Sequence, residues 1–333
     1  MANRNAKSFD MFPASMDDLD SVSKLLNAHS MKWRGAAEWD VKRLAVAWRM
    51  PGFDFARDVV LVRALDGRPV GLATAVDLPP HTRLLSQGFV HPDYRDQGVG
   101  SILVEWLKRR GLLAVPHAPN EASVALVQSV PTEDESAQSL LERSGFERVR
   151  YSWRMFVEFD VPPAKGGLPE TIVIRPFISG REERPMIAAV SEAFRDHWGW
   201  VERPFEEEYD QYMHYLDHDP DNDPALWFVA VDGDEIAGTC FGYAEMPEDP
   251  ELGFVFALGV RKPWRRRGLG LTHTFGALYE RGKHKIALDV DAQNPTGATR
   301  LYEKAGMHIE GQTVTYELVL REATRAAVHT TGE

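Results

Sequence analysis

Apolar residues at Leu271, Phe275, Leu278 and Tyr279 fall at i, i+4, i+7 and i+8, the spacing of one helix face, in a segment that runs to Gly282. The apolar run before it ends at Leu258, Gly259 and Val260 and reads as the end of a strand. The order is strand, glycine-bearing turn, helix. Nearer the start, Ser15 precedes Leu19, Val22, Leu25 and Leu26, which predicts a helix within 13–29. Two β-rich runs around Asp66-Gly67 predict a hairpin within 59–73.

The strand–turn–helix pattern occurs twice. Val90-His-Pro-Asp-Tyr-Arg95 matches Val260-Arg-Lys-Pro-Trp-Arg265, and each leads into R-x-x-G-x-G and a helix closed by Gly111 or Gly282. Arg109, Arg110 and Arg281 precede those glycines, where positive charge suits a helix C-terminus. The Asp66-Gly67 hairpin is answered by Asp232-Gly233, and 137–146 by 298–307. Four landmarks in one order, spaced by about 165 to 170 residues, imply a tandem duplication rather than a solenoid. The stretch 161–170, rich in Pro and Gly, has linker composition, so the expected division is 1–160, a linker at 161–170, and 171–333.

Composition narrows the classes. The chain of 333 residues suits two domains, each large enough for its own core. No apolar run approaches the roughly 18 residues of a membrane span, and the first residues carry no apolar signal core, so a cytoplasmic location with no membrane partner is expected. The single cysteine, Cys240, excludes an internal disulfide framework and a cysteine metal cluster, and no metal is expected. It lies in a strand-like run with no neighbouring histidine and reads as a small buried hydrophobe.

A turn between strand and helix aims free N–H groups at one point, where the helix dipole also favours negative charge. It suits a phosphate. A dinucleotide fingerprint fails because His273 stands at the third glycine position, and no P-loop string occurs. Arg261, Lys262, Arg265, Arg266 and Arg267 could instead be a solvated basic patch, but a net charge of −12 argues against a nucleic-acid partner. Gly268 and Gly270 let backbone approach a ligand closely, which a charge patch does not require. The remaining motif, Arg265-x-x-Gly268-x-Gly270, resembles the acyl-CoA-binding motif of the GCN5-related N-acetyltransferases.

That resemblance covers nearly the whole chain, more strongly in the second half, and implies an α/β fold of two tandem domains, each a mixed, partly split sheet flanked by helices. It implies acetyl-CoA as donor, with Leu258, Gly259 and Val260 along its pantetheine arm. Arg265, Arg266, Arg267, Gly268, Leu269, Gly270 and Leu271 would lie at its pyrophosphate. In the first half Val90, Arg95, Gly98 and Gly100 occupy the matching positions.

A second block, 286–306, runs from strand through a polar turn, where Asn294 with Pro295 reads as a helix start, to a helix with Ala298, Leu301, Tyr302 and Ala305 on one face. From spacing alone Tyr302 is equally a core aromatic. The run Asn294-x-x-x-Ala298-x-x-Leu301-Tyr302-x-x-x-Gly306 is similar to the acetyltransferase segment that contributes to the acyl-CoA site and whose tyrosine protonates the departing thiolate, which implies a cofactor-binding role for Asn294 and the general-acid role for Tyr302. In the first half Leu141 takes that position and cannot donate a proton, so that half is expected to be degenerate.

A base is less evident. Mycothiol synthases, the tandem relatives most resembled, carry a glutamate about where Phe254 stands here; Glu251 is the nearest carboxylate, with Asp289 and Asp291 on the neighbouring strand. The stretch 194–223 mixes aromatics with acids; the resemblance implies that His197, Trp198 and Asp289 border a small cationic amine acceptor, the alternative being a solvated acidic helix face. The expected activity is direct acetyl transfer to a primary amine in the second half. Its rivals are a non-catalytic acyl-CoA sensor and mycothiol-synthase-like, antibiotic-amine or peptide N-terminal acetylation.

Overall fold

The structure, a computed structural model, describes residues 9–164, 167, 169–265 and 271–324. Strand β1 (Asp10–Pro13) and helix α1 (Leu19–Arg34) precede two short helices, α2 (Val41–Ala47) and α3 (Phe55–Asp58). The hairpin β2 (Val59–Arg63) and β3 (Pro69–Val76) leads to β4 (Arg83–Val90), α4 (Val99–Leu112), β5 (Val124–Pro131), α5 (Glu135–Arg143) and β6 (Glu147–Glu158). The second half opens with β7 (Ile172–Pro176), α6 (Glu183–Phe194) and α7 (Phe205–His218), then the hairpin β8 (Trp227–Asp232) and β9 (Glu235–Tyr243). It closes with β10 (Leu252–Val260), α8 (Leu271–Glu280), β11 (Lys285–Asp291), α9 (Ala298–Lys304) and β12 (His308–Arg321).

Two compact units form, and they do not follow the halves of the sequence. One holds the described residues of Met1–Trp33, Gly52–Val149 and Val314–Glu333; the other holds Arg34–Pro51 and Arg150–Thr313. The expected division at 161–170 is therefore not the packing division. Most of β6 belongs to the second unit, where its residues from Ser152 to Glu158 pair antiparallel with β11. The end of β12 belongs to the first, where Ser123 Oγ donates to the Arg321 carbonyl. Because the halves are repeats, the last strand of each fits the same sheet position in either, and an alternating pattern does not say which sheet it joins.

In the first unit the sheet order is β1-β2-β3-β4-β5, with every neighbour antiparallel except the parallel pair β4 and β5. Val59, Val60, Leu61 and Val62 are buried on both faces, as β-branched runs in a covered sheet are. Helix α4 lies close against β3, because a Cβ at Gly71 would stand 2.6 Å from Val99 Cγ1. Gly111 does not cap α4 as its sequence suggested. The helix continues to Leu112, and Gly111 makes room for Leu126 and Leu320. Arg110 is likewise no exposed C-terminal charge: it is buried, with Nη2 donating to Asp58 at 2.6 Å and to Asp77 at 3.0 Å.

In the second unit the order is β7-β8-β9-β10-β11-β6, again with one parallel pair, β10 and β11. Alternation along β8 and β9 sorts the two faces. Trp227, Val229 and Phe241 pack with Met186, Ile187 and Val190 of α6, whereas Phe228 and Cys240 pack with Leu271, Phe275 and Leu278 of α8 and Tyr302 of α9. Each fully buried side chain of this size contributes roughly 1.5–3 kcal/mol. Gly282, at φ +78°, ends α8 in the left-handed conformation expected of a helix-closing glycine.

Candidate active site

Strands β10 and β11 pair only from Leu252 and Lys285 to Val255 and Leu288. Beyond that point they part. The register of β10 against β9 shifts between Val255 and Ala257, a bulge that leaves Phe256 out of the ladder and 60% exposed. From there to Val260 the strand pairs with β9 alone, so the backbone of its other edge faces an open groove of about 720 Å³.

Leu258, Gly259 and Val260 line this groove, at the place where the sequence put the end of a strand. Gly259 is required there: a Cβ would stand 2.9 Å from Ala193 Cβ and 3.0 Å from Phe194 Cε2, where α6 crosses the strand. Arg265 also lines the groove, but its guanidinium is engaged within the protein. Nε donates to the Val260 carbonyl at 3.0 Å, Nη2 to the Ala193 carbonyl at 2.9 Å, and the fork grips Asp196. These bonds make Arg265 a clamp between β10 and the end of α6, rather than a free cation for phosphate. Arg266, Arg267, Gly268, Leu269 and Gly270 lie outside the described residues; Leu271 opens α8 as a buried core residue. Lys262, Arg300 and Lys304 border the groove and supply positive charge suited to phosphates.

On the opposite side, Asn294 lines the groove without capping a helix. Its Oδ1 accepts from the Thr296 N–H at 2.8 Å, closing a turn, and α9 starts three residues later than expected, after Gly297 at φ +78°. Tyr302 then faces inward and is 6% exposed. Among the described residues its hydroxyl has no hydrogen-bond partner, and burial pushes its pKa up, with the neighbouring Cys240 adding to the shift. The phenol is therefore protonated throughout the neutral range, the form that can donate.

The acids are arranged differently from expectation. Glu251 sits in the exposed turn before β10 and does not border the groove, whose lining begins at Val255. Asp289 and Asp291 do border it, but each is held by an arginine of β6. Arg154 donates to Asp289 at 3.0 and 3.1 Å, and Arg150 to Asp291 at 2.8 and 3.0 Å. Arg154 also donates to Glu248 at 3.1 Å and lies over the ring of Phe254, which is buried. These arginines were not singled out from the sequence. Their signal was present as a period-two run, Arg148, Arg150 and Arg154, on a strand assigned to the other half. His197 borders the groove, its ring edge-on to Phe194 at 4.7 Å; Trp198 does not, and stacks instead with Arg150.

The first unit repeats the plan on a smaller scale. Strands β4 and β5 part after Ser86 and Gln128, beside a groove of about 330 Å³ that Val90, Arg95, Gly98 and Gly100 border. Gly98, at φ +94°, caps α4, and Arg95 grips the buried Asp134. Leu141, in the position of Tyr302, borders it.

Two parallel strands that pair at one end and then part beside a groove, with a helix following the first of them in sequence, define an acyltransferase-type α/β fold in each unit; a bulge marks the parting in the second. Residues 190–307 match the model of the acetyltransferase (GNAT) family, and 56–148 match an acetyltransferase (GNAT) domain. The chain is 32% identical to the mycothiol acetyltransferase of Pseudarthrobacter chlorophenolicus over 71% of this chain and 70% of that one. Against the mycothiol acetyltransferase of Salinispora arenicola the identity is 30%, over 74% and 76%. The structure resembles the GCN5-related N-acetyltransferase from Sphaerobacter thermophilus, with a TM-score of 0.76 and 31% identity, covering 95% of this chain and 97% of that one. It shares its fold with a tandem GNAT protein from the clavulanic acid biosynthesis pathway at a TM-score of 0.69 and 16% identity, over 95% of this chain and 100% of that one. The chain belongs to the GNAT acetyltransferase family, as a tandem, mycothiol-synthase-like N-acetyltransferase.

Among the described residues, no helix is long and apolar enough to cross a membrane, and no group of three or more His, Cys, Asp or Glu side chains is placed to hold a metal.

Proposed function

We propose that the groove of the second unit transfers an acetyl group from acetyl-CoA to the primary amine of a small cytoplasmic molecule, directly and without a covalent enzyme intermediate. The observation that carries this reading is Tyr302, whose buried hydroxyl, without a hydrogen-bond partner among the described residues, borders the same groove as the open backbone edge of β10.

In this reading the edge from Leu258 to Val260 pairs with the pantetheine arm, while Lys262, Arg300 and Lys304, with Asn294 across the groove, border the phosphates. Tyr302 donates its proton to the departing thiolate. A phenol is a weaker acid than the thiol it would form, by roughly 1.5 units of ordinary pKa, so position rather than acidity has to do the work. The groove of the first unit, with Leu141 in place of that tyrosine, would take part in no proton transfer; Val90, Arg95, Gly98 and Gly100 would at most hold a second acyl-CoA.

The acceptor enters beside His197, Asp289 and Asp291. The likeness to mycothiol acetyltransferases favours a related amine, whereas Phe254 in place of a strand acid argues for a different one or for a binding protein without turnover. A panel of small amines, followed by released thiol, decides. Acetylation of one class establishes the activity; binding of acetyl-CoA with no thiol released by any amine supports the sensor.

A further inference from the structure

The groove needs a base on its acceptor side, and the described carboxylates that border it are both occupied. Asp289 is held by Arg154 and Asp291 by Arg150. The other titratable side chains bordering it are Lys262, Arg265, Arg300, Lys304, Tyr302 and His197. The first four are cations, and Tyr302 holds its proton. His197 is left.

Its setting is specific. The turn that follows α6 bridges the two parted strands: Asp196 is gripped by Arg265 at the end of β10, and Trp198 lies 5.5 Å from the guanidinium of Arg150, which is bound to Asp291 at the end of β11. His197 stands between these two anchors and borders the groove. Its backbone N–H donates to the Phe194 carbonyl at 2.9 Å, and its ring is braced edge-on against Phe194. Among the described residues neither ring nitrogen has a hydrogen-bond partner.

From this geometry we infer that His197 is the general base of the second unit, accepting a proton from the acceptor amine as it attacks. The proposal rests on the acetyl-transfer reading above. The bonds balance as follows: the amine nitrogen forms a bond to the acetyl carbon and loses a proton to the free ring nitrogen of His197, the carbon–sulfur bond breaks, and Tyr302 supplies a proton to sulfur. His197 returns its proton and Tyr302 regains one from solvent.

The charges that face His197 support the same role. Burial lowers its pKa, Asp196 and Asp291 pull the other way, and Arg265 adds to the lowering. The net lowering keeps the imidazole neutral at pH 7, as a base must be.

Bromoacetyl-CoA tests this on the full-length protein, because a neutral imidazole beside the acyl carbon displaces bromide and forms a stable carbon–nitrogen bond. Mass spectrometry should find the label on His197. Excess CoA should suppress it, and the labelling rate should fall as pH drops through the imidazole pKa. His197→Gln should abolish the label while leaving acetyl-CoA affinity within about twofold. With glucosamine as the probe amine, kcat should fall by about 100-fold or more at pH 7, and the gap should narrow as rising pH supplies neutral amine. Labelling elsewhere with acetyl-CoA affinity intact would overturn the role of His197 alone. Failure of the wild-type protein to bind acetyl-CoA would overturn the acetyl-transfer reading as well.

Discussion

Arg265 and Asp196 lock the end of β10 to the turn after α6, with a guanidinium fork on one carboxylate and a 2.8 Å contact from Nη2 to Oδ1. The hydrogen bonds with Arg265 hold Asp196 below the usual carboxylate range against the opposing effect of burial. An arginine that the motif suggested for phosphate is thereby used to set the groove's shape. Lysine keeps the charge and loses the fork. Arg265→Lys is therefore expected to weaken acetyl-CoA binding by up to about tenfold, equivalent to roughly 1.4 kcal/mol, with kcat changed less. A calorimetric titration and steady-state kinetics on the variant would separate this from a direct phosphate contact, whose charge lysine would retain with affinity unchanged.

Tyr302→Phe removes one oxygen from a buried position where it has no described partner. Stability should stay the same or rise slightly, and acetyl-CoA affinity should be unchanged. If the hydroxyl is the proton donor, kcat should fall by about 100- to 10,000-fold. Equal thermal melting with this loss of thiol release would establish the role; undiminished turnover would remove Tyr302 from the chemistry.

Arg110 joins Asp58 and Asp77, and all three are buried. Arg110→Met would leave two carboxylates without their main cation, although Arg57 still reaches Asp58 at 3.0 Å. Removing one partner from such a set costs about 3–5 kcal/mol. Urea unfolding should show the midpoint falling accordingly, and a triple apolar replacement of Arg110, Asp58 and Asp77 should regain much of the loss. A single variant as stable as the wild type would show the cluster to be dispensable.

Cys240 is 2% exposed, and burial pushes its thiol up to about 12. It should resist a thiol reagent such as dithionitrobenzoate at pH 8 in the folded protein and react once the protein is unfolded. Cys240→Ala should keep its activity. Rapid reaction in the native state would mean that this face of β9 opens.

Much of the plan was legible in the chain because it rests on local rules. Asp66-Gly67 and Asp232-Gly233 turn their hairpins with Gly67 at φ +84° and Gly233 at φ +62°. The apolar spacing of Leu271, Phe275 and Leu278 does mark the buried face of α8. What escaped the sequence depends on tertiary structure. Glu251 looked near the site because it is near in number, yet it stands four residue steps before Val255, roughly 13 Å at 3.3 Å per residue. Arg150 and Arg154 were hidden because β6 follows the first half in sequence and packs in the second unit. Gly111 and Arg110 read as helix-ending residues and serve instead as a close contact and a buried ion pair, a distinction that requires knowing what lies across the sheet. The motif from Arg266 to Gly270 was plain in the sequence and lies outside the described residues.

The central claim, that the second groove is an acetyl-CoA site, is tested most directly by a calorimetric titration of the full-length protein with acetyl-CoA, repeated on Gly259→Val. A Cβ at Gly259 would meet Ala193 at 2.9 Å, so the variant must push α6 off the strand edge that lines the groove. Overpacking of this kind costs about 1–3 kcal/mol. Saturable binding by the wild type, lost or weakened at least tenfold in a variant that remains folded by circular dichroism, is the predicted result. Absence of binding to the wild type, or a folded variant that binds as the wild type does, would contradict the account.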